Sequence, residues 1–324
     1  MIYRLIVFLG LTALLGACNS PSSYHETRDW LQSQDKLKVL STIGMIDDLV
    51  KQIGGEHISS LTLIQGDLDP HSYQLVKGDD EKLAAADIIF YNGLGLEHGP
   101  SLQSYLSQSD KAHPLGNKIE KREPSRILVI NGQTDPHIWM DVSLWAETVP
   151  HIVKALSDAK PEYAAEFGKN GEKVLEELTK AHEEIRLKMA QIPVDKRYLV
   201  TSHDAFNYFS KAYLSPPGSN DWDIRCTAPD GLAPESQLST LDIKEIIDHC
   251  KEYDIKVIFP ESNVSKDSIR KIVSAGREKG LDIRIADMVL YADAMGPKGS
   301  DGDTYIKMVQ HNAHVLFSNI MENH

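Results

Sequence analysis

Four short segments of this chain each set a side chain able to bind metal just beyond a predicted strand. Asp69-Pro70-His71 follows a strand ending at Gln65, and Asp135-Pro136-His137 follows one ending at Ile130. His203, in Thr201-Ser202-His203-Asp204, follows Tyr198 to Val200, and Asp293, in Tyr291-Ala292-Asp293, follows a strand near Arg284 to Asp287. Three neutral imidazoles and one carboxylate are a sensible donor set for a first-row divalent metal. Imidazole suits zinc, iron, copper and nickel, while the carboxylate adds charge and a harder oxygen. Ligands of open α/β sheets bind at the carboxyl ends of strands, so all four can meet in one crevice. Singly, each has a plainer reading: a histidine beside a strand end is usually a satisfied loop or core residue, and Asp-Pro is usually a turn.

The elements that must position them alternate. Strands are predicted at Lys38–Ile43, His57–Gln65, Asp87–Asn92 and Arg126–Ile130, with helices after Gly44 and over Asp79–Ala86. This pattern indicates a parallel α/β lobe over residues 36–145. From Phe167 to Ile192 the apolar residues Val174, Leu178, Ala181, Ile185 and Met189 step by three or four, which predicts one long helix ended by Pro193. It dominates a helical linker over residues 146–194. The alternation then restarts in a second α/β lobe, residues 195–324. Strands are predicted at Arg197–Thr201, Lys256–Pro260 and Asp282–Met288, and helices at Ala205–Ala212, Leu241–Tyr253, Lys266–Lys279 and Asp303–Asn319. Ser215–Ser239, rich in Pro and Gly, reads as a surface insertion.

The N-terminus is different in character. Arg4 precedes an apolar run from Leu5 to Ala17 that is too short for a transmembrane span but suits a signal-peptide core over residues 1–17. The run ends in Leu15-Gly16-Ala17-Cys18, which resembles a bacterial lipobox, with Cys18 carrying the lipid. Residues 18–35 then read as a flexible tether, and the protein as extracytoplasmic, at the periplasm or cell surface. Setting Cys18 aside leaves Cys226 and Cys250, an even remainder in a compartment that permits oxidation, so a disulfide is expected. Two free buried thiols are the alternative. The 324 residues carry a formal net charge of −13 and show no basic stripe, which argues against nucleic acid as a partner.

The four segments read together resemble a known family. Asp69-Pro70-His71-Ser72-Tyr73, Asp135-Pro136-His137-Ile138-Trp139-Met140-Asp141, Ser202-His203-Asp204-Ala205-Phe206-Asn207-Tyr208-Phe209 and Tyr291-Ala292-Asp293 are similar to signature segments of the cluster 9, TroA-like metal receptors of ABC importers. Pro260-Glu261-Ser262-Asn263 and Gly302-Asp303-Thr304-Tyr305 add to the likeness, which runs from about Val39 to the C-terminus. The resemblance implies two (β/α)₄-like lobes joined by one long backbone helix, with a metal site in the interlobe cleft. It implies that His71, His137, His203 and Asp293 hold the metal and that Glu261 stands behind them. Asp69, Asp135 and Asp204 are candidates to orient ligand histidines through their second ring nitrogen.

The implied function is capture of Mn²⁺, Fe²⁺ or Zn²⁺ and delivery to an ABC permease served by a cytoplasmic ATPase. The receptor is expected to be monomeric, lipid-anchored and without catalytic activity. Two departures bear on the metal. Ser109–Thr134 carries only His113, where dedicated zinc receptors of the family often have a His- and acid-rich loop, and His203 stands where manganese receptors frequently place Glu. Two other classes compete: a zinc hydrolase built on the same residues, and a surface adhesin lipoprotein with incidental metal. A catalytic zinc needs an open position and a general base, and the chain has no His-Glu-x-x-His. His311 and His314, three residues apart on the predicted last helix, are a remote second metal pair.

Overall fold

A computed structural model describes residues 21–234 and 238–322. The first sheet is fully parallel, with strand order β2-β1-β3-β4: β1 (Leu37–Ser41), β2 (Ile58–Thr62), β3 (Ile88–Tyr91) and β4 (Ala112–Pro114). Successive side chains leave a strand on opposite faces. Leu37 and Val39 of β1 and Ile88 and Phe90 of β3 therefore join the main core, while Leu40 and Ile89 pack with Leu61, Leu83 and Leu102 on the other face. Helices α2 (Gly44–Gly54), α3 (Asp79–Ala85), α4 (Pro100–Gln108) and α5 (Leu115–Arg122) cover this sheet.

Two expectations for this half need correcting. The tether expected over residues 18–35 is in part a helix, α1 (Pro21–Gln32). The Trp30 indole is buried beside Leu61 and Leu63, and its Nε1–H donates to the Ser59 carbonyl at 2.9 Å, so burial of one large ring pins the segment. The strand expected at Arg126–Ile130 is not in the parallel sheet. β5 (Val129–Ile130) pairs antiparallel with β6 (Gln133–Thr134) around Asn131-Gly132, both at positive φ. Asn-Gly favours a tight hairpin, and that turn turns the chain back.

Two short helices, α6 (Val142–Trp145) and α7 (Val149–Ala159), lead into α8 (Ala164–Ala190). At about 1.5 Å per residue this 27-residue rod is roughly 40 Å long. Its inward stripe is Phe167, Gly171, Val174, Leu178, Ala181, Ile185 and Met189, one residue every three or four. Through that stripe α8 packs on α2 and α7 in the first half and on α13 in the second, joining the two lobes.

The second lobe repeats the winding of the first with shorter strands: β7 (Leu199–Val200), β8 (Cys226–Thr227), β9 (Val257–Ile258) and β10 (Arg284–Ile285). β7 pairs with β8 and β9 with β10, all parallel, and the Phe259 N–H donates to the Val200 carbonyl at 2.8 Å. The order is thus β8-β7-β9-β10, the counterpart of β2-β1-β3-β4. The remaining helices are α9 (Asn207–Phe209), which runs on as a π-turn over Ser210–Leu214, α10 (Trp222–Arg225), α11 (Thr240–Glu252), α12 (Asp267–Glu278) and α13 (Tyr305–Glu322).

Ser215–Ser239 is therefore more than a surface insertion, because it supplies α10 and the second strand of this sheet. The expected disulfide is also absent: Cys226 and Cys250 are free, buried thiols. Cys226 faces the main core from β8, whereas Cys250 packs from α11 with Ile246, Ile247 and Ile269 in a separate cluster. Burial pushes the Cys226 thiol well above its ordinary pKa and that of Cys250 up to about 12, as suits inert core residues.

Candidate metal centre

Each of the four expected side chains is held by its own local device. Beyond β2, Pro70 fixes the backbone of a tight turn and Asp69 closes it. One Asp69 carboxylate oxygen accepts the His71 N–H at 2.8 Å and the other accepts the Ser72 hydroxyl at 2.5 Å. In the second Asp-Pro-His turn, Asp135 does more. Its Oδ1 accepts the His137 N–H at 2.9 Å and lies 2.7 Å from the His137 Nδ1, while its Oδ2 accepts from Asn207 at 3.1 Å.

His203 lies three residues beyond β7. Glu261, three residues beyond β9, reaches across to it. Glu261 Oε1 accepts the Ser202 and His203 N–H groups at 2.9 and 3.0 Å, and Oε2 makes a short bond with the His203 Nδ1. Asp293 follows β10 on a loop fixed by two large groups. Asn312 of α13 bonds both the N–H and the carbonyl of Tyr291, and the Trp139 indole donates to the Ala292 carbonyl at 2.8 Å.

Carboxylates behind Nδ1 of His137 and His203 place the ring proton there and turn the Nε2 lone pairs inward. All four inward groups meet. Asp293 carboxylate oxygens lie 3.7 Å from the His71 Nε2, 3.5 Å from that of His137 and 3.2 Å from that of His203. The Nε2 atoms of His71 and His137 are 3.2 Å apart, and the four donor atoms all fall within 4.8 Å of one another. Donors at about 2.1 Å around a tetrahedral ion stand roughly 3.4 Å apart. The centre has the dimensions of such a cage.

Its electrostatics agree. All four residues are buried, and His203 Nε2 and Asp293 Oδ1 have no hydrogen-bond partner there. Buried polar atoms are rarely left so, and an ion between them satisfies both. Burial, reinforced by the neighbouring imidazoles and opposed by Asp293, pushes His71 down to about 3. Burial would lower His203 too, but Glu261 and Asp293 outweigh it and hold the ring well above its ordinary pKa. Burial likewise opposes ionisation of Asp293, yet His203, His71 and His137 hold it well below the usual carboxylate range. Without metal, the proton held on the His203 ring answers both Glu261 and Asp293.

Of the four carboxylates expected to support the site, Glu261 and Asp135 reach an imidazole, whereas Asp69 only closes its turn. Asp204 bonds no ring, and burial together with Asp135 raises its carboxyl to about 6. Two supporting residues were missed. Asn263 donates to Asp293 Oδ2 at 3.0 Å, and Asn207 secures Asp135. Both sit inside segments already singled out, and an amide side chain beside a ligand carboxylate was the available signal. His311 approaches the Val289 carbonyl while His314 lies near Lys188, and these two form no metal-ligating group among the described residues. Cys18 lies outside the described residues.

A cleft of about 750 Å³ opens beside the centre, lined by His71, His98, Glu97 and Glu120 from the first lobe and by Leu232 and Ala233 from the second. Two α/β lobes on a rigid helix, with a buried donor cage fed from both, define a solute receptor in which the ion is cargo.

The model of the ZnuA family, the periplasmic component A of zinc-uptake complexes, matches residues 39–318. The metal-binding protein YtgA of Chlamydia trachomatis is 37% identical over 317 residues, covering 97% of this chain and 94% of that protein. The manganese-binding lipoprotein MntA of Bacillus subtilis is 34% identical, over 88% of this chain and 90% of its own. ScbA of Streptococcus cristatus, a metal ABC transporter substrate-binding lipoprotein, is 30% identical over 96% and 95%. The crystal structure of Fe(III)-bound YtgA superposes with a TM-score of 0.83 at 36% identity, covering 88% of this chain and 98% of that one. The chain belongs to the ZnuA family of metal ABC transporter substrate-binding proteins.

Proposed function

We propose that His71, His137, His203 and Asp293 bind one Mn, Fe or Zn ion, which the protein hands to the permease of an ABC importer. The observation that carries this reading is the convergence of four buried donors within 4.8 Å. Three neutral imidazoles and a carboxylate give a mixed set that suits all three metals, whose names the family and its relatives carry. With four protein donors a tetrahedral ion keeps no open place for water, which supports a receptor over a hydrolase. One chain holds the whole set, so a monomer suffices.

Titrating chelator-stripped protein with Zn²⁺ or Mn²⁺ should give one ion per chain. Alanine at any of the four positions should weaken binding by two or more orders of magnitude. A variant of one of the four that binds as tightly as the parent chain would remove that residue from the site.

We further propose that the protein is anchored outside the cytoplasm by lipid on Cys18, as the lipobox and the lipoprotein relatives suggest. No helix among the described residues is long and apolar enough to cross a membrane. Cys18→Ala should move the protein from the membrane to the soluble fraction with its metal affinity intact. Unchanged membrane retention would refute the anchor.

A further inference from the structure

The two oxygens of Asp293 are not equivalent. Both turn toward the imidazoles, Oδ1 at 3.5 Å from the His137 Nε2 and Oδ2 at 3.2 Å from the His203 Nε2. Oδ1 has no hydrogen-bond partner among the described residues, whereas Oδ2 accepts the Asn263 amide N–H at 3.0 Å. A carboxylate that gives an ion one oxygen supplies a fourth donor beside the three imidazoles, and one that gives both supplies a fifth. Asn263 therefore sits at the atom that decides between the two.

Asn263 is placed there by the sheet. Beyond β9 and β10 the parallel pairing continues as a bridge between Glu261 and Leu290. The Leu290 N–H donates to the Pro260 carbonyl at 2.8 Å and the Ser262 N–H to the Leu290 carbonyl at 3.0 Å. Glu261 and Asn263, two residues apart on this anchored segment, both reach the centre, the first to support His203 and the second Asp293. A carboxylate has only acceptors, so the Asn263 amide must turn its NH₂ to Asp293 and its oxygen away. That amide oxygen is buried and has no hydrogen-bond partner among the described residues. Leaving it unpaired costs free energy, and an arrangement kept despite that cost calls for a reason.

We infer that Asn263 sets metal preference: by holding Oδ2 of Asp293 it makes that oxygen a poor donor and favours an ion served by four groups, Zn²⁺, over one that seeks more oxygen, Mn²⁺. This inference rests on the metal-receptor reading. The Oδ2 lone pair engaged by the amide N–H is withdrawn from the ion, and the same bond draws electron density from what remains. Zn²⁺ is content with a tetrahedral set, whereas Mn²⁺ is suited by carboxylate oxygen and by higher coordination. Asn263 is a positioning residue, acting on the ion only through Asp293.

Competition titrations of chelator-stripped protein with Zn²⁺ and with Mn²⁺ provide the test, comparing the parent chain with Asn263→Leu, which keeps the volume and removes the donor. Loss of an orienting partner costs about 10–100-fold in metal affinity. Zn²⁺ should bear the low end of that cost, while for Mn²⁺ the released oxygen offsets it, so the ratio of Zn²⁺ to Mn²⁺ affinity should fall by about tenfold. The visible d–d absorption of Co²⁺-loaded protein fades as coordination rises above four, so it should be weaker in the variant than in the parent chain. Should the leucine variant bind neither metal, Asn263→Ala decides by the same ratio. Equal losses for both metals, which a merely structural residue would give, would overturn the inference, and so would a parent-like Co²⁺ spectrum. Failure of the parent chain itself to bind either metal would instead overturn the receptor reading.

Discussion

Exchanging Glu261 for glutamine changes one atom and should act on the metal through His203. Glu261 Oε1 accepts two backbone N–H groups, from Ser202 and His203, so a glutamine must keep its carbonyl oxygen there. Its amide nitrogen then faces the His203 Nδ1, where two hydrogen-bond donors cannot meet. The ring must move its proton to Nε2, the nitrogen that points at Asp293 and whose lone pair the ion requires. Loss of such an orienting partner costs about 10–100-fold in metal affinity, or roughly 1.4–2.8 kcal/mol. Asp135→Asn should do less. Oδ1 of Asp135 serves both groups of His137 and can become the amide oxygen, leaving the new NH₂ to face Asn207, which can rotate its own amide at the expense of its 3.3 Å bond to the Asp204 carbonyl and without disturbing His137. Competition titration against a fluorescent zinc chelator measures both variants. Parent-like affinity in Glu261→Gln, or a larger loss in Asp135→Asn, would refute this account of tautomer control.

Three further outcomes are expected. Asp204 is held near 6 in the folded protein against 3.8 ordinarily, so its contribution to stability is complete below about pH 3.8 and is lost as pH rises through 6. The loss reaches at most about 3 kcal/mol at neutral pH. Asp204→Asn should therefore raise the Tm of metal-free protein at about pH 7.5, with a gain that shrinks toward about pH 4, and a pH-independent change would contradict this origin. A Cβ on Gly171 would lie 2.5 Å from Val153 Cγ2, a stiff β-branched atom where α7 meets α8. Gly171→Val should cost about 1–3 kcal/mol in thermal unfolding while sparing metal affinity, and an unchanged Tm would show that the helices part easily. Thiol counts of the unfolded protein should be the same with and without reductant, whereas two thiols gained on reduction would reinstate the Cys226–Cys250 bridge.

The donor residues were legible because each sits in a short local segment whose chemistry does not depend on distant packing. Asp-Pro-His builds its own turn from three residues, and the α8 stripe from Val174 to Met189 follows from periodicity alone. The second lobe was less legible. Its strands form ladders of only two residues, and β8 is buried within a Pro- and Gly-rich stretch that carries no alternation to betray it. Trp30 turned a polar tether into a docked helix through one ring, which composition does not register. The Arg126–Ile130 segment has strand-forming residues, but Asn131-Gly132 decided that it would pair with its own return. Cys226 and Cys250 were joined by arithmetic, and the sheet places them in separate clusters.

X-ray absorption at the zinc edge of protein loaded with one equivalent of Zn²⁺ tests the central claim most directly. The centre described here should give three imidazole nitrogens and one carboxylate oxygen at about 2.0–2.2 Å and no sulfur. Fewer than three imidazoles, or a thiolate in the coordination sphere, would contradict a site made of His71, His137, His203 and Asp293.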